Sequence, residues 1–383
     1  MMMILFVLLT FLIAALASYI LIPRIVFISQ SKKLFDVPNE RSSHTKVVPR
    51  LGGVSFFPAL TFAFAFTVGL RILTGFDISP FFASHLLIEG VFFLCGLMIM
   101  FTVGVADDLV GVSFRKKFYA QILSTVLLIV GGIYVNSFHG LFGIMHMPTL
   151  LGYLLTIVLV VLVINSINLI DGVDGLASGL SCIALFCLTI WFTANGIFAY
   201  GMMAAGMLGA VVPFFIFNVF GSKHKLFMGD TGSLIIGFMI AYLCAKFCML
   251  NVPGSEHSYG VEGAPVLVLS ILFVPIFDLI RVFTYRIHQK KSPFMPDRNH
   301  IHHLFLDLGF SHRKTMVSLV AFAFVFAALN FMLIELIGPT ILLLLDFMTG
   351  ILLFRVLRYR HKNKIRHFFN PEESKSSPKE NIA

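Results

Sequence analysis

Long apolar stretches recur along nearly the whole chain, and they constrain its fold more than any other feature. A helix needs about 20 apolar residues to cross a hydrocarbon core of about 30 Å. Only 12% of the 383 residues are charged and 58% are hydrophobic, which excludes a water-soluble domain of this size. The sequence predicts an all-α, polytopic membrane helix bundle with eleven spans, near 3–23, 54–74, 86–106, 118–136, 149–166, 176–194, 199–220, 232–250, 264–284, 315–335 and 338–354.

Lysine and arginine residues are concentrated on one side of this predicted bundle. Of the 28 basic residues, 26 fall in five polar segments beside span ends, and only Arg71 and Lys246 lie elsewhere. Because basic loops near span ends remain in the cytoplasm, we expect an outside N-terminus and a cytoplasmic C-terminus. Anionic lipid headgroups and anionic substrates then account for the net charge of +9, and no nucleic acid is needed to explain it.

The chain divides into one membrane domain and a short tail. Residues 1–355 hold all the predicted spans and the predicted cytoplasmic active-site loops, whereas residues 356–383 are basic and then polar. We expect the tail to be cytoplasmic and partly disordered, because it has few large apolar residues. The acidic residues Glu89, Glu335 and Asp346 stand isolated within or beside spans, which is typical of helix-pairing residues.

Two adjacent carboxylates, Asp107 and Asp108, close the third predicted span in the stretch GVADDLVGVSFRKK. Such a pair at a membrane boundary is repulsive unless a cation or a proton lies between the two groups. A magnesium ion with a phosphate would meet this need, so both residues are candidate catalytic groups. The alternative is a solvated helix end balanced by Arg115, Lys116 and Lys117.

Oxygen-bearing side chains recur every third residue where the fifth predicted span ends, in NSINLIDGVDGL: Asn165, Asn168, Asp171 and Asp174. On a continuous helix the first three cover a sector of roughly 120°. Hard oxygen donors suit Mg²⁺, which takes one or two protein ligands and completes its shell with water and substrate phosphates. We interpret this stretch as a functional site rather than a polar loop.

Asp230 stands between glycines in MGDTGS, directly before the eighth predicted span. Backbone N–H groups at a helix start have no partner within the helix and can bind anions. One interpretation is therefore that Asp230 belongs to a phosphate or metal site. The other is a simple helix N-cap.

The segment DVPNERSSHTKVVPRLGG, from Asp36 to Gly53, forms a basic loop between prolines and glycines. Arg41 and His44 in this loop are candidate phosphate ligands. Cytoplasmic retention of basic loops would explain the charge of the segment, but neither His44 nor the paired glycines at its end.

Three histidines fall within four positions of the longest polar loop, in PDRNHIHH. Zinc is one interpretation, but no soft ligand lies near and the spacing is unusual for zinc. Histidines beside an arginine are better suited to bind a pyrophosphate or a sugar hydroxyl. The candidate substrate-binding residues of this loop are Arg298, His300, His302 and His303.

Together, these five motifs resemble the polyprenyl-phosphate N-acetylhexosamine-1-phosphate transferase family, in the family's order and over almost the whole chain except the tail. PRLGG and HIHH are similar to the bacterial branch that starts O-antigen, enterobacterial common antigen or teichoic acid linkage units. The resemblance implies transfer of a sugar 1-phosphate, most typically from UDP-N-acetylglucosamine, to undecaprenyl phosphate, with release of UMP. It also implies a bacterial inner-membrane protein whose active site faces the cytoplasm.

The resemblance also implies roles for individual residues. The metal would be Mg²⁺, with Mn²⁺ as a substitute, held by Asn168 and Asp230, and Asp171 close by would be a catalytic residue. Asp107 and Asp108 would orient or deprotonate the lipid phosphate, or one of them would act as a nucleophile; both routes stay open. Substrate binding would fall to Arg41, His44, Asp174, Arg298, His300, His302 and His303.

Two other functions are compatible with basic loops beside membrane spans. A nucleotide-sugar or phosphate transporter would use similar loops, but it typically places ionisable groups at mid-bilayer and often has two similar halves. A lipid phosphatase would use water instead of a lipid as the acceptor. Lipid-linked product with stoichiometric UMP would distinguish the transferase from both.

Overall fold

A computed structural model describes residues 2–36, 48–75, 84–222, 224–254, 258–293 and 299–369 of the chain. Among these residues a pair of two-residue strands, β1 (Phe35–Asp36) and β2 (Val48–Pro49), accompanies a set of helices. The α-helices are α1 (Met2–Ser31), α2 (Phe56–Leu73), α3 (Ser84–Val110), α4 (Phe114–Val130), α5 (Thr149–Ile170), α6 (Leu176–Ala194), α7 (Phe198–Phe220), α8 (Gly229–Leu250), α9 (Ala264–Ile271), α10 (Phe273–His288), α11 (Ile301–Asp307), α12 (His312–Ile337) and α13 (Pro339–Phe369).

The prediction of an all-α bundle of membrane spans is confirmed. Within the described ranges, nine helices are long and apolar enough to cross a membrane, and the pair α9 and α10, bent by 82°, makes a tenth if it is one span. The predicted span 118–136 is wrong in its bounds. It corresponds to α4, whose 17 residues end at Val130, because Gly131 and Gly132 form a turn there and Gly132 has a φ of +93°.

Helix α8 lies in the centre of the bundle. Every residue from Thr231 to Cys244 is buried, as expected for a helix that is apolar on all sides. It packs against α3 and α5, which run in the opposite direction. This arrangement brings the polar ends of α3 and α5 to the start of α8.

Glycines allow two neighbours to approach the start of α8 closely. A Cβ on Gly104 of α3 would lie 2.4 Å from the Cα of Thr231, and a Cβ on Gly53 would lie 2.1 Å from the N and Cα of Gly232. Neither position can hold a side chain without displacing α8. The second glycine of the PRLGG motif therefore has a packing role.

The two short strands bring the ends of the first basic loop together. They pair antiparallel, with Phe35 opposite Pro49. The N–H of Gly52 then donates to the carbonyl of Phe227 at 2.9 Å, which joins the loop to the segment before α8. The predicted phosphate ligands Arg41 and His44 lie outside the described residues.

The predicted domain boundary at 355/356 falls inside a helix. Helix α13 continues from Pro339 to Phe369, so the basic start of the tail extends the last span as helix. Residues 370–383 of the tail, which we predicted to be partly disordered, lie outside the described part of the chain.

Glu89 is a helix-pairing residue, as predicted, but it is not isolated. Its carboxylate accepts hydrogen bonds from Tyr200 at 2.7 Å and Tyr242 at 2.6 Å, and it forms an ion pair with Lys246 at 2.8 Å. These contacts join α3, α7 and α8. Such pairing is how a charged group is accommodated within a membrane bundle.

Candidate active site

Asp108 caps the start of α8. One carboxylate oxygen accepts the backbone N–H of Asp230 at 2.8 Å, and the other accepts the N–H and the hydroxyl of Thr231 at 3.0 and 2.6 Å. A carboxylate is favourable at a helix N-terminus, because the first N–H groups lack partners within the helix. Gly229 permits the approach: its φ is +73°, and a Cβ there would lie 2.6 Å from the Asp108 carboxylate.

Asp107 faces a different partner from its neighbour. Its carboxylate accepts from the ammonium of Lys117 at 2.8 Å, and the same ammonium lies 3.2 Å from Asp230. The carboxyl groups of Asp107 and Asp230 are themselves within hydrogen-bonding range of each other. The cation that the structure shows beside Asp107, the Lys117 ammonium, is thus shared with Asp230 and not with Asp108, and a magnesium ion between Asp107 and Asp108 stays a prediction. Successive residues on a helix point about 100° apart, and the cation lies between Asp107 and Asp230.

Asn168 joins this cluster, while its role as a metal ligand stays a prediction. Helix α5 extends through Ile170, and the Asn168 amide donates to Asp230 at 2.7 Å and to Ser233 at 2.8 Å. Asn165 does not reach the cluster, because its amide bonds Gln121 of α4 at 2.7 Å. The three-residue spacing therefore overestimated the set of converging donors.

Asp171 ends α5 and carries the most perturbed carboxyl group of the polar loops. Burial, together with the negative charges of Asp230, Asp174 and Asp108, raises its pKa to about 7. Within the described part of the chain, no group hydrogen-bonds this carboxylate. A carboxyl group with a pKa near neutrality can accept or donate a proton at physiological pH.

The remaining acid of the turn is engaged with the protein. Asp174 forms an ion pair with Lys225 at 2.6 Å. Asn218 reinforces the same connection, because its side chain accepts the N–H of Gly175 at 2.6 Å and donates to the carbonyl of Leu226 at 2.8 Å. The turn after α5 is thus fixed to the segment that leads into α8. The role of Asp174 in substrate binding stays a prediction.

The histidine motif lies against the same turn. His302 is 2% exposed, and a Cβ on Gly172 would lie 2.2 Å from its Nε2 atom. Burial, together with the positive charge of neighbouring histidines, lowers the pKa of His302 to about 3. This imidazole is therefore neutral at physiological pH and has no charge with which to bind a phosphate.

The other members of the motif differ in their surroundings. His300 bonds Asp278 through Nδ1 at 2.8 Å, and His303 is 7% exposed. Arg298 lies outside the described residues. The structure thus places His302 on the turn that begins with Asp171, with His300 stacked beside it.

In the described ranges no group of three or more His, Cys, Asp or Glu side chains is arranged as a preformed metal cage. Around Asp230 the positions beside the carboxylates are held by the Lys117 ammonium and the Asn168 amide. Two converging carboxylates and an amide still suit Mg²⁺, which needs only one or two protein ligands.

Three residues of this region were missed from the sequence. From the sequence, Lys117 was considered only in the alternative of a solvated helix end, and Lys225 and Asp278 were given no specific role. The signal for Asp278 was a lone acid in the apolar run PIFDLIRVF. For Lys117 it was a basic residue ten positions after Asp107, at the start of the next helix.

A family model described as Glycosyl transferase family 4 matches residues 91–247. This range runs from within α3 almost to the end of α8. It therefore contains Asp107, Asp108, Asn168 and Asp230, which meet at the start of α8, and also Asp171, which ends α5.

Curated proteins named undecaprenyl-phosphate alpha-N-acetylglucosaminyl 1-phosphate transferase are similar over most of the chain. That of Salmonella typhi is 29% identical over 303 residues, 78% of this chain and 76% of that protein. That of Escherichia coli strain K12 is 28% identical over the same shares. That of Haemophilus influenzae is 30% identical over 289 residues, 74% of this chain and 75% of that protein. The similarity is thus not confined to 91–247.

Proposed function

The chain belongs to the polyprenyl-phosphate N-acetylhexosamine-1-phosphate transferase family, and from this membership we propose that it transfers N-acetylglucosamine 1-phosphate from a UDP-sugar to undecaprenyl phosphate. In the proposed reaction an oxygen of the lipid phosphate attacks the β-phosphorus of the UDP-sugar. The bond from that phosphorus to the bridging oxygen breaks, and UMP leaves. The products are a lipid-linked diphosphosugar and UMP.

The observation that carries the proposal is the polar cluster of Asp107, Lys117, Asn168 and Asp230. The Lys117 ammonium bonds the carboxylates of Asp107 and Asp230, and the Asn168 amide also bonds Asp230. Phosphoryl transfer between two anionic substrates requires positioning and charge neutralisation more than covalent chemistry from the protein. A cluster that already holds one cation between two carboxylates is suited to this task.

Mg²⁺, with Mn²⁺ as a substitute, is the proposed metal, and Asp230 and Asn168 are its proposed ligands. The donor set fits, provided that the Asn168 amide turns so that its oxygen faces Asp230 in place of its nitrogen. When bound, such an ion would neutralise charge on the diphosphate. Lys117 would then remain on Asp107 and keep its carboxylate directed at the same site.

Direct attack by the lipid phosphate is the proposed route. A lipid phosphate with a second pKa near 6 is largely dianionic at neutral pH and is already a nucleophile. The carboxylate of Asp107 is held by Lys117 and by the N–H of Val112, and that of Asp108 by the start of α8, so neither is presented as a free nucleophile. An acid-labile labelled phosphoenzyme would contradict this route.

An apolar cavity between α5, α8 and the bent pair α9 and α10 is the proposed place of the polyprenyl chain. Val163 in its wall lies five residues before Asn168, about 8 Å along the helix. A second apolar groove between α2, α3, α7 and α8 lies farther away, since its lining on α3 ends at Leu97, about 15 Å from Asp107. Proximity to the polar cluster favours the first cavity.

The proposed location is a bacterial inner membrane with the site on its cytoplasmic face. This proposal is supported by the 26 basic residues beside the span ends that carry the site. There the product would start a cell-envelope polysaccharide, such as O-antigen, common antigen or a teichoic acid linkage unit.

The test uses purified protein with undecaprenyl phosphate, labelled UDP-N-acetylglucosamine and Mg²⁺. We expect labelled lipid and UMP in equal amounts, and no product when the lipid or the metal is omitted. Sugar that crosses sealed vesicles without lipid product would instead support a transporter. Release of inorganic phosphate from the lipid would support a phosphatase.

A further inference from the structure

Asp278 is a buried carboxylate of α10 that makes three hydrogen bonds. It is 2% exposed, and one oxygen accepts from the Arg281 guanidinium at 2.7 Å and from the N–H of Ile301 at 2.9 Å. The other oxygen contacts Nδ1 of His300 at 2.8 Å. The ion pair with Arg281 favours the carboxylate form, which can only accept hydrogen bonds.

These contacts fix the start of the histidine helix. Ile301 is the first residue of α11, and His300 precedes it with an extended backbone. The two rings of His300 and His302 lie parallel at 5.7 Å between centroids, and His302 rests on Gly172. Asp278 therefore positions His300 one ring away from the turn that begins with Asp171.

The same contact determines which nitrogen of His300 carries the proton. Because an ionised carboxylate cannot donate, Nδ1 must be protonated to bond Asp278. In neutral imidazole the proton is then absent from Nε2, which keeps a lone pair. Within the part of the chain that the structure describes, this imidazole makes no other hydrogen bond.

We propose that Asp278 is a positioning residue for the sugar of the donor: it acts through His300, whose Nε2 accepts a hydrogen bond from a hydroxyl or amide N–H group. The proposal rests on the proposed function, because it takes the UDP-N-acetylhexosamine as the donor. A lone pair at Nε2 repels phosphate oxygens. The contact therefore recognises the sugar and leaves the nucleotide diphosphate to other groups.

Asp278→Asn tests the proposal while keeping the size of the side chain. The side-chain amide of asparagine has only one oxygen. We expect that oxygen to face Arg281 and Ile301, because this orientation keeps two hydrogen bonds and leaves fewer donors without an acceptor. The new amide nitrogen then faces Nδ1 of His300 and donates to it. The proton of the neutral imidazole must move to Nε2, which becomes a donor.

The first measurement is the nitrogen NMR spectrum of ¹⁵N-histidine-labelled protein at about pH 8, where neutral imidazoles are expected. The signal of His300 is identified by its loss in His300→Ala. We expect protonation at Nδ1 in the wild type and at Nε2 in Asp278→Asn. A wild-type His300 protonated at Nε2 would overturn the inference without touching the proposed function, because this readout needs no turnover.

The second measurement separates sugar recognition from general damage. Asp278→Asn should lower kcat/KM for the UDP-sugar by about tenfold or more. The hydrogen bond from the sugar to Nε2 of His300 is lost, and the donor group of the sugar is left without an acceptor. Inhibition by UDP, which lacks the sugar, should be unchanged. The control Asp307→Asn removes a partly exposed carboxylate at the other end of α11 and should behave as wild type.

A double-mutant cycle with His300→Ala decides whether Asp278 acts through His300. If it does, Asp278→Asn should have almost no further effect on kcat/KM once His300 is alanine. Additive losses, or an equal weakening of UDP inhibition, would overturn the proposal in favour of a structural role. Size-exclusion elution at the wild-type position verifies that each variant folds. A wild type without transfer activity would instead overturn the proposed function.

Discussion

Asp108 accepts the backbone N–H of Asp230 at 2.8 Å, so a residue at the polar end of α3 holds the first acid of α8 in place. The neighbouring Asp107 uses Lys117 to reach the side chain of the same residue. Two adjacent carboxylates thus act on the backbone and the side chain of one partner. This division explains how a paired motif at one helix end can organise a site at the start of another.

Replacing Asp108 tests the capping contact. Asp108→Ala should lower the free energy of unfolding by about 0.5–2 kcal/mol, because the N–H groups of Asp230 and Thr231 lose their acceptor. Turnover should fall as well, since Asp230 is no longer held. Asp108→Asn keeps one acceptor oxygen, so its stability and its turnover should lie between those of Asp108→Ala and the wild type. Thermal unfolding in detergent and the transfer assay measure both effects, and a variant of wild-type stability with no turnover would favour a chemical role.

Replacing Lys117 should change the metal requirement in a specific direction. Lys117→Met leaves Asp107 and Asp230 without their cation, so the site should bind Mg²⁺ more tightly while turnover falls. If the ion pairs of Lys117 with the two carboxylates are worth about 1 kcal/mol, their loss would strengthen Mg²⁺ binding by a similar amount. The Mg²⁺ concentration for half-maximal rate would then fall by roughly threefold to tenfold. The exposed Lys116→Met is the matched control. An increased Mg²⁺ requirement in Lys117→Met would contradict the prediction.

Asp171 should make stability depend on pH. Its folded pKa is about 7, whereas in the unfolded chain an aspartate ionises near 4. Between these values the folded protein keeps a proton that the unfolded chain has released, so the free energy of unfolding falls as the pH rises from about 4 to about 7. Asp171→Asn should flatten this decrease in metal-free detergent solution, as measured by thermal unfolding. Parallel profiles for the variant and the wild type would exclude a raised pKa.

The spans could be predicted because each one corresponds to a single continuous apolar stretch of sufficient length. The contacts of the site could not. Lys117 and Asp230 are 113 residues apart, and only the packing of α3, α4 and α8 shows that they meet. Periodicity placed Asn165 with Asn168, but a nearby acceptor, Gln121, decides where its amide points. Motifs therefore indicated candidate residues for the site, and packing determined what each of them contacts.

Two alanine-to-phenylalanine variants test the place of the lipid chain. Ala245 lines the cavity beside α5 and the bent pair, and Ala199 lines the second groove. Ala245→Phe should raise KM for undecaprenyl phosphate severalfold, because added volume in a filled cavity displaces the chain. The KM for the UDP-sugar should not change, and Ala199→Phe should leave both values unaltered. The reverse pattern would place the lipid in the groove between α2 and α3.

Labelling of single cysteines tests the orientation of the bundle. Ser292 lies after α10 at the end that carries the polar cluster, and Tyr259, 43% exposed, lies in the connection from α8 to α9 at the opposite end. In a background without the native cysteines, Tyr259→Cys should react with an impermeant thiol reagent in intact cells, and Ser292→Cys should react only after the membrane is opened. We expect this order because basic residues surround Ser292, and basic loops near span ends remain in the cytoplasm. Reaction of Ser292→Cys in intact cells would turn the bundle over and place the diphosphate site outside the cell, where no cytoplasmic nucleotide-sugar could reach it.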